Sequence, residues 1–267
     1  MLHYFAEGDS ENPTVVMLHG FGGLSTDWNG LIDDLSAEFY CVAPDLPGHG
    51  KSTIDMSPNE ITLPSVAAEV NTLITSLGLG DVILLGYSLG GRIALQYAIN
   101  YQPSLQALIL ESANPGLESD YERKMRSALD ADRAKRLRDY GAEDFFEEWY
   151  HQPLFDSISE QSNVVSALIE ARAAQDANSL ASMLERLSPG TVTPLWDRLD
   201  QFHIPVKIIS GAKDREYTRI SRRMTELIQH VDWTVIADAG HNCHLERSLA
   251  FSTAVRRFIE ERILVTG

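Results

Sequence analysis

The stretch VILLGYSLGGR, residues 82–92, joins two kinds of local structure. Residues 82–85 form a continuous apolar run, which is typical of a strand buried on both faces, and from Leu89 onward the apolar spacing is helical. The turn between them fits G-x-S-x-G, a pattern that exposes a reactive serine on a sharp strand-to-helix turn. Gly86 and Gly90 leave room where side chains would clash. The sequence therefore predicts a catalytic Ser88 at the end of a buried strand.

Similar apolar runs recur along the chain and alternate with segments of helical period. The runs cover residues 14–19, 39–44, 81–86, 106–112, 205–210 and 232–237, and the helical segments cover 25–37, 64–78, 89–101, 216–229 and 246–264. This alternation predicts an α/β fold with a mostly parallel central sheet and helices on both faces. Residues 2–8 add an expected antiparallel edge strand.

Residues 113–200 break this alternation. They contain no convincing strand, but several amphipathic or charged helical stretches separated by Pro and Gly. Because the strand pattern resumes at residue 205, we expect a helical lid insertion over 113–200, within a core formed by residues 1–112 and 201–267.

Two further residues complete a predicted triad. Asp214 follows the run 205–210, and His241 follows the last run, so both lie where open parallel sheets place their active sites. The order Ser, Asp, His is the one that the elbow motif requires. His244 is the rival base, and its neighbour Glu246 offers a local structural partner.

The loop HGFGG, residues 19–23, follows the first apolar run. Stabilising an oxyanion requires two backbone N–H donors, which we expect from Phe21 in this loop and from Leu89 after the serine. His19 is expected to support the loop by hydrogen bonding, and His49 to be structural.

The formal net charge of −16 over 267 residues disfavours nucleic-acid binding and a membrane-surface role, and an anionic substrate would need local cations. No apolar run approaches membrane-spanning length, so no membrane insertion is expected. Cys41 and Cys243 are expected to be reduced thiols.

Neither a secretory signal pattern nor a membrane-spanning run is present, so a cytoplasmic protein is the expectation. No metal-ligand spacing or cofactor fingerprint occurs, and no cofactor is expected. The oligomeric state stays open.

Several motifs together resemble the α/β-hydrolase superfamily over essentially the full chain: LHGFGG, DLPGHGKS, GYSLGG, GAKD and GHNCH. A narrower similarity, to the 2-succinyl-6-hydroxy-2,4-cyclohexadiene-1-carboxylate synthases of menaquinone biosynthesis, is carried by GYSLGGRIAL, ESANPGLESDYERKMR, FFEEWYHQPLF, LSPGT and GHNCHLE. These enzymes are lyases that eliminate pyruvate from 2-succinyl-5-enolpyruvyl-6-hydroxy-3-cyclohexene-1-carboxylate. The resemblance implies a small polycarboxylate as the substrate.

The same resemblance implies roles for residues that the triad leaves unexplained. It implies that Arg92, Arg126 and Arg172 bind carboxylates of the substrate, and Arg123 is an alternative to Arg126. It also implies that Tyr87 and Trp149 line the substrate pocket. A guanidinium suits this role because its fork of donors matches a carboxylate. A solvated helix face for Arg126 or Arg172, a salt bridge for Arg92, and a place in the core of the lid for Trp149 remain alternatives.

The implied scheme uses Ser88, activated by His241, to abstract a ring proton, while Asp214 orients His241. A serine hydrolase acting on an ester or carbon–carbon bond of an acidic molecule would use the same triad. A non-catalytic binding protein is disfavoured because no triad member is missing.

Overall fold

The structure, a computed structural model, describes residues 1–159 and 162–264. Residues 160–161 of the predicted lid and 265–267 of the predicted core lie outside this part. Seven strands form one sheet in the order β1-β3-β2-β4-β5-β6-β7. They are β1 (Tyr4–Glu7), β2 (Thr14–Leu18), β3 (Tyr40–Pro44), β4 (Val82–Tyr87), β5 (Leu105–Glu111), β6 (Val206–Gly211) and β7 (Val231–Ile236).

The sheet has the predicted topology. β1 pairs with β3 in antiparallel register, and every other pair of neighbouring strands is parallel. The helices are α1 (Asn29–Leu35), α2 (Leu63–Ser76), α3 (Leu89–Tyr101), α4 (Asp120–Tyr140), α5 (Ala142–Trp149), α6 (Asp156–Ser159), α7 (Ser162–Ala173), α8 (Ala177–Arg186), α9 (Arg215–Thr225), α10 (Cys243–Glu246) and α11 (Ser248–Ile259). The predicted α/β fold class is confirmed.

Two apolar cores cover the two faces of the sheet. Helices α2, α3 and α9 pack on one face, and α1 and α11 pack on the other. Strands β2 and β4 are buried along their whole length, which explains their uninterrupted apolar sequences. The last predicted helix is interrupted at Arg247, between α10 and α11.

Helices α4–α8 lie between β5 and β6 in the sequence and have an apolar cluster of their own. Phe146, Leu180 and Ala181 are fully buried in that cluster. Phe21, from the loop after β2, packs against it. The helices between β5 and β6 therefore contact the core at the loop predicted to stabilise an oxyanion.

The turn between β4 and α3 has the tight geometry that its sequence predicts. Ser88 has a φ of 51°, in the left-handed region that non-glycine residues rarely adopt. A Cβ on Gly86 would lie 2.4 Å from the carbonyl oxygen of Gly90, and a Cβ on Gly90 would lie 2.2 Å from that of Leu18. Only glycine fits at these two positions, because strand and helix backbones approach each other directly.

Both cysteines, Cys41 and Cys243, are buried free thiols. Burial raises the pKa of the Cys41 thiol to about 12 and that of Cys243 further still. Among the described residues, no helix is both long enough and apolar enough to span a membrane.

Candidate active site

Ser88, His241 and Asp214 form one hydrogen-bonded chain. The Nε2 atom of His241 lies 3.1 Å from the Ser88 hydroxyl oxygen, and its Nδ1 atom lies 2.8 Å from an Asp214 carboxylate oxygen. The other oxygen of Asp214 accepts the Tyr217 backbone N–H at 3.0 Å. Each residue follows a different parallel strand, β4, β6 or β7, and these strands end at one edge of the sheet. The arrangement can remove a proton from the serine hydroxyl and hold the resulting imidazolium.

The loop that carries His241 is held by Glu246. The Glu246 carboxylate accepts the backbone N–H of Gly240 at 2.8 Å and that of Asn242 at 3.2 Å. The Tyr87 hydroxyl donates to the side-chain oxygen of Asn242. Burial raises the pKa of Tyr87 well above its ordinary value, which keeps this hydroxyl protonated as a donor. The loop backbone is therefore fixed on both sides of the histidine.

His244, the rival base, is occupied elsewhere. Its Nδ1 atom lies 2.8 Å and 2.9 Å from the two carboxylate oxygens of Glu111, and its backbone N–H donates to the same carboxylate. Its ring lies against Trp28, with 4.5 Å between ring centroids. Glu246 as its partner was therefore the wrong choice, since that carboxylate binds the backbone of the His241 loop.

Phe21 and Leu89, the expected oxyanion donors, both line the cavity at Ser88. The loop of Phe21 is a tight turn closed by Gly23, whose N–H donates to the Gly20 carbonyl at 3.0 Å. The N–H of Phe21 takes no part in that bond, and Leu89 is the first residue of α3, where N–H groups lack partners within the helix. Their place at the cavity is compatible with the expected role as oxyanion donors, which stays a prediction.

His19 supports this turn, as expected. Its Nδ1–H donates to the Gly20 carbonyl at 2.7 Å, and its Nε2 accepts the Leu46 N–H at 2.9 Å. Burial lowers the pKa of His19, in agreement with a neutral ring that donates from one nitrogen and accepts at the other.

A cavity of about 230 Å³ opens at Ser88 between the sheet edge and residues of α4, α5 and α8. The predicted site residues that line it, besides Ser88, Phe21, Leu89 and His241, are Tyr87, Arg92, Arg126 and Trp149. Asp130, Arg133 and Gln152 also line it and were not predicted. Arg133 lies seven residues after Arg126, two helical turns along the same face of α4, and that spacing was a usable signal.

Arg92 reaches the cavity from the first turns of α3. One of its terminal nitrogens donates to the Leu187 carbonyl. Among the described residues, no acidic side chain forms an ion pair with it. Burial lowers its pKa to about 10, which still leaves it charged near neutral pH. A positive charge within reach of Ser88 is thus available to an anion.

Arg126 lies on α4 with its Nε atom 2.7 Å from Asp130. Burial lowers its pKa, but the Asp130 carboxylate outweighs burial, and the net shift is upward. Arg123, its sequence alternative, is absent from the cavity wall.

Arg172 does not line the cavity, contrary to the expectation for a carboxylate-binding residue. Its side chain is only 3% exposed and donates to the Asp27 carboxylate and to the Leu168 carbonyl. Three residues further on, Gln175 donates to the Gly22 carbonyl at 2.7 Å. The physical reason is that Asp27, in the segment after the Phe21 turn, neutralises this guanidinium inside the protein.

The fold and the site are those of an α/β hydrolase, and a family model described as "alpha/beta hydrolase fold" matches residues 13–248. The 2-succinyl-6-hydroxy-2,4-cyclohexadiene-1-carboxylate synthase of Serratia proteamaculans (strain 568) is 32% identical over 254 residues, covering 95% of this chain and 95% of that protein. The solved structure of MenH from S. aureus superposes with a TM-score of 0.90 at 30% identity, covering 98% and 99% of the two chains. The chain therefore belongs to the α/β-hydrolase family and, within it, to the family of these synthases.

Two other proteins are similar to this chain, one in sequence and one in fold. Protein PHYLLO, chloroplastic, of Arabidopsis thaliana is 29% identical over 94% of this chain, which spans 16% of that longer protein. A thermophilic esterase from Thermogutta terrifontis, at 24% identity and a TM-score of 0.85, shares the fold.

Proposed function

We propose that this chain is a carbon–oxygen lyase of menaquinone biosynthesis. Its substrate would be 2-succinyl-5-enolpyruvyl-6-hydroxy-3-cyclohexene-1-carboxylate, and its products pyruvate and 2-succinyl-6-hydroxy-2,4-cyclohexadiene-1-carboxylate, the compound named in its relatives. The observation that carries the proposal is a single cavity in which the Ser88–His241 pair is accompanied by Arg92, Arg126 and Arg133. A polycarboxylate needs such cations in a chain of net charge −16.

The proposed reaction is a proton abstraction followed by elimination. The Ser88 oxygen removes the proton on C2, the ring carbon that bears the succinyl group. Its own proton passes to His241. The electron pair of the broken C2–H bond forms a C2=C3 double bond, the pair of the original C3=C4 double bond moves to C4=C5, and the C5–O bond to the enolpyruvyl group breaks. His241 returns its proton to the departing enolate, and the released enol becomes pyruvate. Asp214 holds the imidazolium during this exchange.

Negative charge that develops on the succinyl carbonyl oxygen during this step would be held by the N–H groups of Phe21 and Leu89. Tyr87 and Trp149 would form the walls against which the ring lies. Arg92 and Arg126 would bind carboxylates of the substrate. No acyl-enzyme is required.

A serine hydrolase is the second candidate, because the same hydrogen-bonded triad also suits acyl transfer. The test offers the purified protein the enolpyruvyl cyclohexene substrate and follows pyruvate with a coupled dehydrogenase and the diene by its absorbance. The rates measured without enzyme and with Ser88→Ala serve as the two backgrounds for the wild-type rate. Equal amounts of pyruvate and diene support the lyase. Turnover of a nitrophenyl ester without diene formation would reject it in favour of the hydrolase.

A further inference from the structure

Asp130 is a fully buried carboxylate in the wall of the active-site cavity. One of its oxygens lies 2.7 Å from Nε of Arg126, and the other lies 3.0 Å from a terminal nitrogen of Arg133. All three residues lie on α4 at helical spacings of four and three, which place their side chains on one face. One carboxylate thus holds two guanidinium groups at the cavity.

The same carboxylate is fixed from outside its own helix. The Ser188 hydroxyl donates to Asp130 at 2.7 Å and accepts the Gly190 N–H at 3.0 Å. A Cβ on Gly190 would lie 2.4 Å from the Arg123 carbonyl oxygen, so this turn packs directly on α4. The LSPGT motif, residues 187–191, therefore sets the position of Asp130.

Arg133 is held on two further sides. Its guanidinium lies 5.2 Å from the centre of the Trp149 ring and donates to the side-chain oxygen of Gln152. The Gln152 amide nitrogen in turn donates to the Trp149 carbonyl at 3.0 Å, which directs that oxygen toward Arg133. The guanidinium is therefore pre-oriented before any ligand binds.

The charges of this group do not cancel. Two guanidiniums face one carboxylate, and the two terminal nitrogens of Arg126 hydrogen-bond to nothing in the described ranges. Glu216 also lines the cavity and its charge acts on Arg126, but within the described residues it forms no ion pair with Arg126 or Arg133. A bound carboxylate would balance the charge and take up the remaining donors.

We propose that Arg126 and Arg133 form one carboxylate-binding subsite on α4, separate from Arg92 on α3, and that Asp130 is the residue that positions both. The ligand is one carboxylate of the polycarboxylate substrate, so the inference rests on the proposed function. In this proposal Arg133 replaces Arg172, for which the resemblance to the synthase family implied carboxylate binding.

The direct test compares Arg133→Ala with Arg136→Ala. Arg136 is on the same helix, but pairs with Glu148 at the surface and does not line the cavity. For Arg133→Ala we expect kcat/KM to fall about 10-fold or more, mainly through KM, because a charge-assisted hydrogen bond is lost. Arg136→Ala should stay within about twofold of wild type. Equal KM values for Arg133→Ala and wild type would overturn the subsite.

A binding measurement separates this proposal from the proposed function. Calorimetry with 2-succinylbenzoate, a stable dicarboxylate, needs no turnover, and Arg133→Ala should weaken its binding about 10-fold. If wild type forms no diene but this difference persists, the lyase proposal fails and the subsite stands. If wild type forms diene and both proteins bind the probe equally, the subsite alone fails.

A double-mutant cycle tests whether the two arginines act on one group. Arg126→Ala and Arg133→Ala together should lower kcat/KM less than the product of the two single losses, because both contact one carboxylate. Multiplicative losses would instead indicate two independent contacts and would contradict a shared subsite.

Asp130→Asn distinguishes positioning from charge. The substitution makes the cavity more positive, so a purely electrostatic role predicts a lower KM for a polycarboxylate. Loss of positioning predicts a higher KM with kcat little changed, and partial rescue by Asp130→Glu. A KM equal to or below that of wild type would reject the positioning role. Should Asp130→Asn not fold, Ser188→Ala removes one of the three side-chain hydrogen bonds on Asp130 without changing the charge, so loss of positioning predicts a higher KM and a purely electrostatic role predicts an unchanged one.

Discussion

The side chains of Glu111 and His244 form a buried pair next to the candidate catalytic residues, with 2.8 Å between a carboxylate oxygen of Glu111 and Nδ1 of His244. Neither residue lines the cavity. The Glu111 backbone carbonyl also accepts the Ser88 N–H at 3.0 Å, so the same residue that binds His244 supports the serine turn. The His244 ring lies 4.9 Å from that of Tyr87. The pair therefore links the end of β5 to the loop that carries His241.

Removing one partner of this pair should cost stability. For Glu111→Ala we expect the free energy of unfolding in urea to fall by about 3–5 kcal/mol, because buried donors of His244 lose their acceptor. Glu118→Ala is the control, since Glu118 pairs with Arg223 at the surface, and exposed pairs contribute about 0–1 kcal/mol. A loss for Glu111→Ala no larger than that of the control would show that the pair does not support the fold.

Ser88 offers a test that separates chemistry from backbone strain. Both Ser88→Ala and Ser88→Gly should lower kcat by about 10²–10⁴-fold, because each removes the proton-abstracting oxygen. The left-handed φ of 51° is strained for alanine but not for glycine. We therefore expect Ser88→Gly to be more stable than Ser88→Ala by about 1 kcal/mol in urea unfolding. Equal stability would mean that the strain relieved by glycine is no larger than the entropy that glycine adds to the unfolded chain.

Arg92→Ala should affect substrate handling and not folding. The one hydrogen bond that its side chain forms within the described residues is to a carbonyl oxygen. We therefore expect kcat/KM to fall by the equivalent of about 2–3 kcal/mol of transition-state binding. The melting temperature should stay near that of wild type. A large drop in melting temperature with kcat/KM preserved would make Arg92 a structural residue.

Arg172→Ala should show the opposite pattern. Because Arg172 is paired with Asp27 away from the cavity wall, its removal leaves a carboxylate without its partner and should cost about 3–5 kcal/mol of stability. Unfolding in urea measures this cost, and Arg138→Ala, from a surface pair with Glu185, is the control. An unchanged stability together with a raised KM would restore the carboxylate-binding role that the resemblance implied.

Acidification should destabilise the protein through His49. Burial lowers the pKa of this ring from 6.5 to about 3, and its Nδ1–H donates to the Pro47 carbonyl as a neutral group. Between these two values the unfolded chain binds a proton that the folded chain rejects. The contribution of His49 is therefore fully present above about pH 6.5 and is lost as the pH falls, by at most about 1.4 kcal/mol per unit.

Urea unfolding between pH 7 and 5 measures this slope. His49→Gln should reduce it, whereas His230→Gln, at an exposed position, should leave it unchanged. An identical slope in wild type and His49→Gln would place the acid sensitivity elsewhere.

The fold was predictable because its signals are local. Each buried parallel strand is a short apolar run, and parallel strands end at one edge, so the order Ser88, Asp214, His241 was enough to expect three neighbours there. The same reasoning led to Phe21 and Leu89, since each follows its own strand.

The partners of the buried charged groups were not predictable in this way. Arg172 pairs with Asp27, which is 145 residues away, and His244 pairs with Glu111, which is 133 residues away. Local sequence offers only near neighbours such as Glu246, and long-range packing decides among distant ones. Arg133 differs, because its helical spacing from Arg126 was visible in the sequence.

The contacts of Arg172 and Gln175 have a consequence for how such a protein can change. Arg172 donates to Asp27 and Gln175 donates to the Gly22 carbonyl. The end of α7 and the residue two positions after it therefore hydrogen-bond to the turn that carries Phe21 and to the segment that follows it. Replacing the helices between β5 and β6 with a segment that lacks Arg172 and Gln175 would exchange the cations of the cavity and remove both contacts to that turn. A chimera that keeps an ordered Phe21 turn must carry Arg172 and Gln175 with the exchanged segment. The same segment therefore supplies the cations that would select the substrate and the contacts that hold the Phe21 turn beside Ser88.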